Sequence, residues 1–134
     1  MKLTVLGAGC WGLTIAKLLN NNFDDIFVWG RKEDLPECLI NEKRLEKPLK
    51  IQLDKKVNIT SNLKEALDNA QIILLVVSTR GIRPVCEQIK ALGGLKEDQI
   101  LVNLAKGIEI PTLKRMSEVI LEVLPDIKFA TLSG

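Results

Sequence analysis

Three glycines at positions 7, 9 and 12 separate the apolar run Leu3-Thr4-Val5-Leu6 from a stretch carrying Leu13, Ile15, Ala16, Leu18 and Leu19 at helical spacing. The sequence Gly7-Ala8-Gly9-Cys10-Trp11-Gly12 thus places a G-x-G-x-x-G turn between a strand and a helix, the context in which the pattern carries meaning. Gly7 permits a tight turn, Gly9 leaves no side chain between backbone and a bound diphosphate, and Gly12 lets the helix approach the strand. The helix start then offers unpaired amides and about half a positive charge to an anion. Trp11 needs a surface to pack on, either a neighbouring loop or the bound ligand. Cys10 reads as a small residue offering its backbone amide, because the chain has no His to take a thiol proton.

Downstream, strand and helix patterns alternate. Ile26-Phe27-Val28-Trp29 predicts a second strand, and the polar stretch from Glu33 to Lys56 leaves room for a short helix and an irregular connection. Val57 to Thr60 predicts a third strand, after which Ser61 or Asn62 is placed to cap a helix over 63–69. Ile72 to Val77 is apolar throughout, as strands are when helices cover both faces of their sheet. Pro84 suits a helix start, with Val85, Ile89 and Leu92 on one face until Gly93-Gly94. Gln99 to Leu104 predicts a strand. Pro111 suits another helix start, with Leu113, Met116, Val119, Ile120 and Val123 on one face and Pro125 as its stop, and Ile127 to Leu132 predicts the last strand. This alternation predicts an α/β fold, a doubly wound and mostly parallel sheet of the Rossmann type with helices on both faces.

A chain of 134 residues with 46% hydrophobic residues supports one core and one domain. Its net charge of +2 provides no field to gather a polyanion, so neither nucleic acid nor a membrane surface is expected as a partner. With no His and no Tyr, the Ser/His/Asp and Cys/His pairings and imidazole metal sites are excluded. Cys10, Cys38 and Cys86 are odd in number and far apart, which fits reduced thiols in a cytoplasmic protein and no metal site. The longest apolar run is far short of the roughly 20 residues of a membrane span, and no targeting segment is expected.

Cofactor choice is expected at the end of the second strand, where an Asp or Glu would bond a ribose 2′-hydroxyl. Gly30-Arg31-Lys32 stands there instead. Arg31, as a bidentate donor, and Lys32, as a point charge, suit a 2′-phosphate and favour NADPH over NADH, although Glu33-Asp34 follows directly. Lys106, before Gly107 at the carboxyl end of a predicted strand, lies at the sheet edge where ligands bind, and could hold an anionic or carbonyl-bearing substrate there.

The glycine turn with its Trp, Val28-Trp29-Gly30-Arg31, the strand Ile72 to Ser78, Ala105-Lys106-Gly107-Ile108-Glu109 and the closing Leu132-Ser133-Gly134 together resemble the NAD(P)-dependent glycerol-3-phosphate dehydrogenases. The resemblance spans the whole chain in order; Cys10 departs from the Ser usual in that family. It implies interconversion of dihydroxyacetone phosphate and glycerol 3-phosphate, which supplies phospholipid backbones, with NADP as cofactor and NAD as an alternative. It also implies that Cys10, Trp11, Arg31 and Lys32 contact the cofactor beside Gly7, Gly9 and Gly12, that Lys106 contacts cofactor and substrate, and that Gly134 begins a substrate-binding turn. Family members continue beyond this point with a helical second domain that carries the catalytic lysine. Residues 1–134 are therefore expected to form the dinucleotide-binding domain, with no catalytic residue of their own and with a homodimer open to them. The competing expectation is a stand-alone NADP-binding module without turnover.

Overall fold

Side-chain alternation along the strands builds two cores, one on each face of a single sheet. In the computed structural model, which describes residues 1–132, β1 (Lys2–Leu6) turns Leu3 and Val5 towards Leu13, Ile15 and Ala16 of α1 (Cys10–Leu18), while Leu6 joins the opposite core. β2 (Asp25–Trp29) divides the same way, Ile26 and Val28 packing on the α1 side and Trp29 on the other. The α1 side is completed by Leu39 of α2 (Glu37–Glu42) and by Ile51 of the small antiparallel pair β3 (Arg44–Leu45) and β4 (Ile51–Gln52).

Three helices cover the second face. They are α3 (Leu63–Leu67) after β5 (Val57–Thr60), α4 (Thr79–Ala91) after β6 (Ile72–Leu75), and α5 (Met116–Val123) between β7 (Ile100–Asn103) and β8 (Lys128–Thr131). On α5, Met116, Val119, Ile120 and Val123 are all buried, the i, i+3, i+4, i+7 stripe expected of a helix lying on a sheet. Asn62 caps α3 by accepting from the Glu65 amide, so of the two expected caps Asn62 is the one used.

The six-stranded sheet has the order β5-β2-β1-β6-β7-β8 with every pairing parallel. Numbering only its own strands in chain order gives 3-2-1-4-5-6, the doubly wound Rossmann arrangement. The strand order reverses between β1 and β6, one half of the sheet growing outward from each, so the turns leaving their carboxyl ends diverge and open a crevice.

Two helix starts differ from the sequence expectation. α4 begins at Thr79, placing Pro84 inside the helix. The apolar stripe reaches back to Ile82, which is fully buried with Val85, Cys86 and Ile89, and that burial outweighs the one hydrogen bond that Pro84 cannot donate to the Arg80 carbonyl. Leu92, expected on this stripe, is 48% exposed beyond the helix end. α5 begins at Met116 rather than near Pro111, because residues 108–115 close into a loop with a bridge between Ile108 and Arg115. Within that loop the Glu109 amide donates to the Lys114 carbonyl, and the Leu113 amide to the Glu109 carbonyl. Among the described residues, no helix is long and apolar enough to cross a membrane.

Candidate functional site

The crevice at the switch point is a cleft of about 640 Å³. Gly7, Ala8 and Gly9 form its floor, Trp29, Gly30, Arg31 and Asp34 one wall, and Val76 to Ser78 with Arg80, Gly81 and Pro84 the other. Each motif glycine has a separate reason. Gly7 has φ +133°, and a Cβ there would lie 2.7 Å from the Val76 carbonyl oxygen. A Cβ on Gly12 would lie 2.0 Å from the Gly7 carbonyl oxygen, so this contact fixes how closely α1 seats on β1. Gly9 is different: its backbone is ordinary extended (φ −78°, ψ 179°), and a Cβ would meet nothing within 4 Å. Among the described residues, nothing requires glycine at position 9.

Two helix starts face this region. α1 starts at Cys10 after Gly9 and α4 at Thr79 after Ser78; neither has a side-chain cap bond nor an acidic residue in its first turn. Their first amides are thus left to an incoming anion. Cys10 is partly buried and enters through this backbone position, whereas Trp11 is 60% exposed.

Arg31 lies on the cleft wall but is already engaged. Its Nε and Nη2 donate to Asp34 at 2.7 and 3.2 Å, and Nη1 lies 3.7 Å from Glu33. The bond to Asp34, with the neighbouring carboxylate charges, raises the guanidinium above its ordinary value. Lys32 is exposed in a short 3-10 turn over 32–34 and does not line the cleft. Two charged residues of the cleft, Arg80 and Asp34, carry no site role in the sequence reading. Arg80 was missed because the helix was placed to start at Pro84; a Ser78 cap would have put it in the first turn. Asp34, which the sequence shows only as a charge opposing Arg31 and Lys32, lies past the strand end and reaches the cleft because the 3-10 turn folds it back.

Lys106 sits on the turn after β7, exposed and outside the residues lining the cleft. The turn itself abuts the cleft wall, since a Cβ on Gly107 (φ +117°) would lie 3.3 Å from the methyl group of Thr79, the first residue of α4. Gly134 lies outside the described residues.

Comparison with known proteins matches residues 2–134 to the family described as NAD-dependent glycerol-3-phosphate dehydrogenase N-terminus. The chain belongs to that family. A glycerol-3-phosphate dehydrogenase [NAD(P)+] of Thermoanaerobacter sp. (strain X514) is 41% identical over 124 residues, covering 92% of this chain and 37% of the relative. One of Fusobacterium nucleatum is 39% identical, covering 100% of this chain and 40% of the relative. The glycerol-3-phosphate dehydrogenase structure from Coxiella burnetii superposes with a TM-score of 0.85 at 22% identity, covering 99% of this chain and 40% of that one, which establishes the shared fold. The chain thus spans about two fifths of the length of these dehydrogenases.

Among the described residues, Glu109 of the Lys-Gly-Ile-Glu segment is the carboxyl most strongly displaced from its ordinary value. Bonds from Arg83 and then from the Thr112 hydroxyl hold Glu109 down to about 2, against an ordinary value of 4.5. A carboxyl depressed on folding contributes stability above its unfolded value, and that contribution is lost as pH falls through the folded one. Acid destabilisation between pH 4.5 and about 2 is therefore expected to be shallower in Glu109→Gln than in the parent, whose Glu109 must take up a proton there. Urea titrations across that window measure it; parallel curves would show that Glu109 is not the titrating group.

Proposed function

We propose that this chain holds the nicotinamide cofactor of an enzyme interconverting dihydroxyacetone phosphate and sn-glycerol 3-phosphate, with NADPH preferred to NADH. The observation that carries the reading is the open space over Gly9, at the switch point and beside two helix starts without acidic residues. A diphosphate fits that combination of free amides, positive helix ends and a missing side chain. The cofactor, when bound, supplies the hydride. Gly7, Gly9 and Gly12 shape the turn beneath the diphosphate, Cys10 offers its amide, and the exposed Trp11 ring packs on the cofactor. Lys106 would face the substrate as a cation, and Gly134 would start the substrate turn. The three cysteines are free thiols, Cys86 being pushed up to about 12 by burial, which supports a cytoplasmic setting and gives that thiol no nucleophilic role.

The NADPH preference rests on Arg31 at the strand end, with Lys32 beside it and Arg80 across the cleft. For a 2′-phosphate to bind, Arg31 must be shared with or released by Asp34; at an exposed pair that exchange costs little. Asp34 also supports a second reading, in which its carboxylate accepts from the ribose hydroxyls of NADH. Fluorescence titration of the chain with both cofactors separates the two. On the NADPH reading, Arg31→Ala weakens NADPH by about tenfold with little effect on NADH, and Asp34→Asn strengthens NADPH. A loss confined to NADH in Asp34→Asn would assign the cofactor to NADH.

A further inference from the structure

The turn carrying Lys106 is secured at both ends by side chains. On the strand side, Asn103 is 1% exposed; its Oδ1 accepts from the Ala105 amide at 3.0 Å and its Nδ2 donates to the Ala105 carbonyl at 3.1 Å. On the far side, Arg83 of α4 donates from Nε and Nη2 to the two Glu109 carboxylate oxygens at 2.8 and 2.9 Å. Only Lys106, Gly107 and Ile108 span the interval between these anchors.

Arg83 is committed to this role by its surroundings. Its third nitrogen, Nη1, lies 2.6 Å from Glu122 of α5, which also pairs with Lys114. All three guanidinium nitrogens therefore face carboxylates, with the Arg83 side chain 28% and the Glu109 side chain 16% exposed. An arginine so occupied is poorly placed to bind a phosphate itself. A fork-to-fork guanidinium–carboxylate pair fixes direction as well as distance, so Glu109 is held in one orientation relative to α4. The same helix carries Thr79, against which Gly107 lies, and Arg80, which lines the cleft.

We propose that Arg83 is a positioning residue for the dehydrogenase reaction: through Glu109 it sets the Lys106 turn in register with the start of α4, and hence with the cofactor cleft. The inference rests on the proposed substrate role of Lys106. A reacting group misplaced by about 1 Å can lose about a hundredfold in rate, so a device that locates the turn acts on turnover more than on cofactor affinity.

Amide hydrogen exchange on the 134-residue chain tests the clamp itself. Arg83→Gln and Glu109→Gln should each speed exchange over residues 105–110 by about tenfold or more, with NADPH affinity within about twofold of the parent. Glu122→Gln, which removes the other partner of the same guanidinium, should leave those amides at the parent rate. Unchanged exchange in the first two variants, or equal acceleration in Glu122→Gln, overturns the clamp.

Steady-state kinetics in an intact dehydrogenase carrying this chain as its amino-terminal part tests the consequence. Arg83→Gln should lower kcat by about tenfold or more with the KM for NADPH nearly unchanged, and Arg83→Lys should recover part of the loss. Lys106→Ala, run in parallel, separates the two ways of failing. Normal turnover in Lys106→Ala removes the substrate role on which the inference rests, whereas a loss there with normal kcat in Arg83→Gln removes the positioning role alone.

Discussion

Gly12→Ala is expected to leave the chain without a stable fold, and Gly9→Ala to fold as the parent does and fail to bind dinucleotide. The two substitutions add the same methyl group within one turn. At position 12 the new carbon would sit 2.0 Å from the Gly7 carbonyl oxygen, with Val5 Cγ1 a further 3.3 Å neighbour. Neither obstacle yields easily. The Gly7 carbonyl belongs to a residue at φ +133°, whose amide donates to the Trp29 carbonyl at 2.8 Å. Moving it disturbs the pairing between β1 and β2, and moving α1 instead withdraws Leu13, Ile15 and Ala16 from their core. Overpacking against backbone in this position belongs to the exceptional class of substitutions, about 4–5 kcal/mol, which is most of the stability of a small domain.

At position 9 the added carbon meets no atom within 4 Å and the backbone lies in a region any residue adopts, so the fold bears no penalty. The cost then falls on whatever must approach that backbone. Thermal melts and NADPH titrations on the two variants check both halves. A Gly9→Ala protein that melts with the parent and binds NADPH normally would show that the space over Gly9 is not where the diphosphate lies.

The contrast between these glycines shows what was legible in the sequence. The motif spacing located the turn, and Val57 to Thr60 and the Met116, Val119, Ile120 and Val123 stripe of α5 were visible in periodicity alone, because burial on a sheet imposes its period on neighbouring residues, whereas Leu113, expected on the same stripe, lies before the helix and is exposed. Contacts between distant residues impose no such period. Arg83 and Glu109 are 26 positions apart and meet because α4 and the loop after β7 converge on one side of the sheet. Pro84 and Pro111 illustrate the opposite error, a local preference overridden by tertiary packing: Ile82 pulls the start of α4 back by more than a turn, and the bonds around Glu109 hold Pro111 in a loop. Arg31 and Lys32 were identified as cations, but charge counting along the chain could not reveal that the 3-10 turn brings Asp34 onto the Arg31 guanidinium.

Lys106→Ala is expected to lower dihydroxyacetone phosphate turnover by about a hundredfold or more in an intact dehydrogenase carrying this chain, while NADPH binding to the chain changes by no more than about twofold. The argument begins with what the chain lacks. Reducing a carbonyl builds negative charge on its oxygen, and a positioned cation or proton donor must meet that charge. With no His in the sequence, a side-chain positive charge near the cleft can come only from a lysine or an arginine. Arg31 and Arg80 line the cleft, on opposite walls. Arg31 is paired with Asp34 at the end of β2, the position at which a dinucleotide of this fold places its adenosine ribose. Lys32 is on that same side. Lys106 alone of these stands after β7, beyond the far wall, on a turn packed against the start of α4 and anchored by Asn103 and Glu109. A group placed there can reach a substrate beside the nicotinamide end without contributing to the diphosphate site, which is why its removal should separate turnover from binding. Steady-state kinetics with both substrates, set beside cofactor titration, measures the two effects independently. A Lys106→Ala enzyme with near-normal kcat, or one whose loss lies in NADPH affinity, would return this lysine to the solvated surface or to the cofactor.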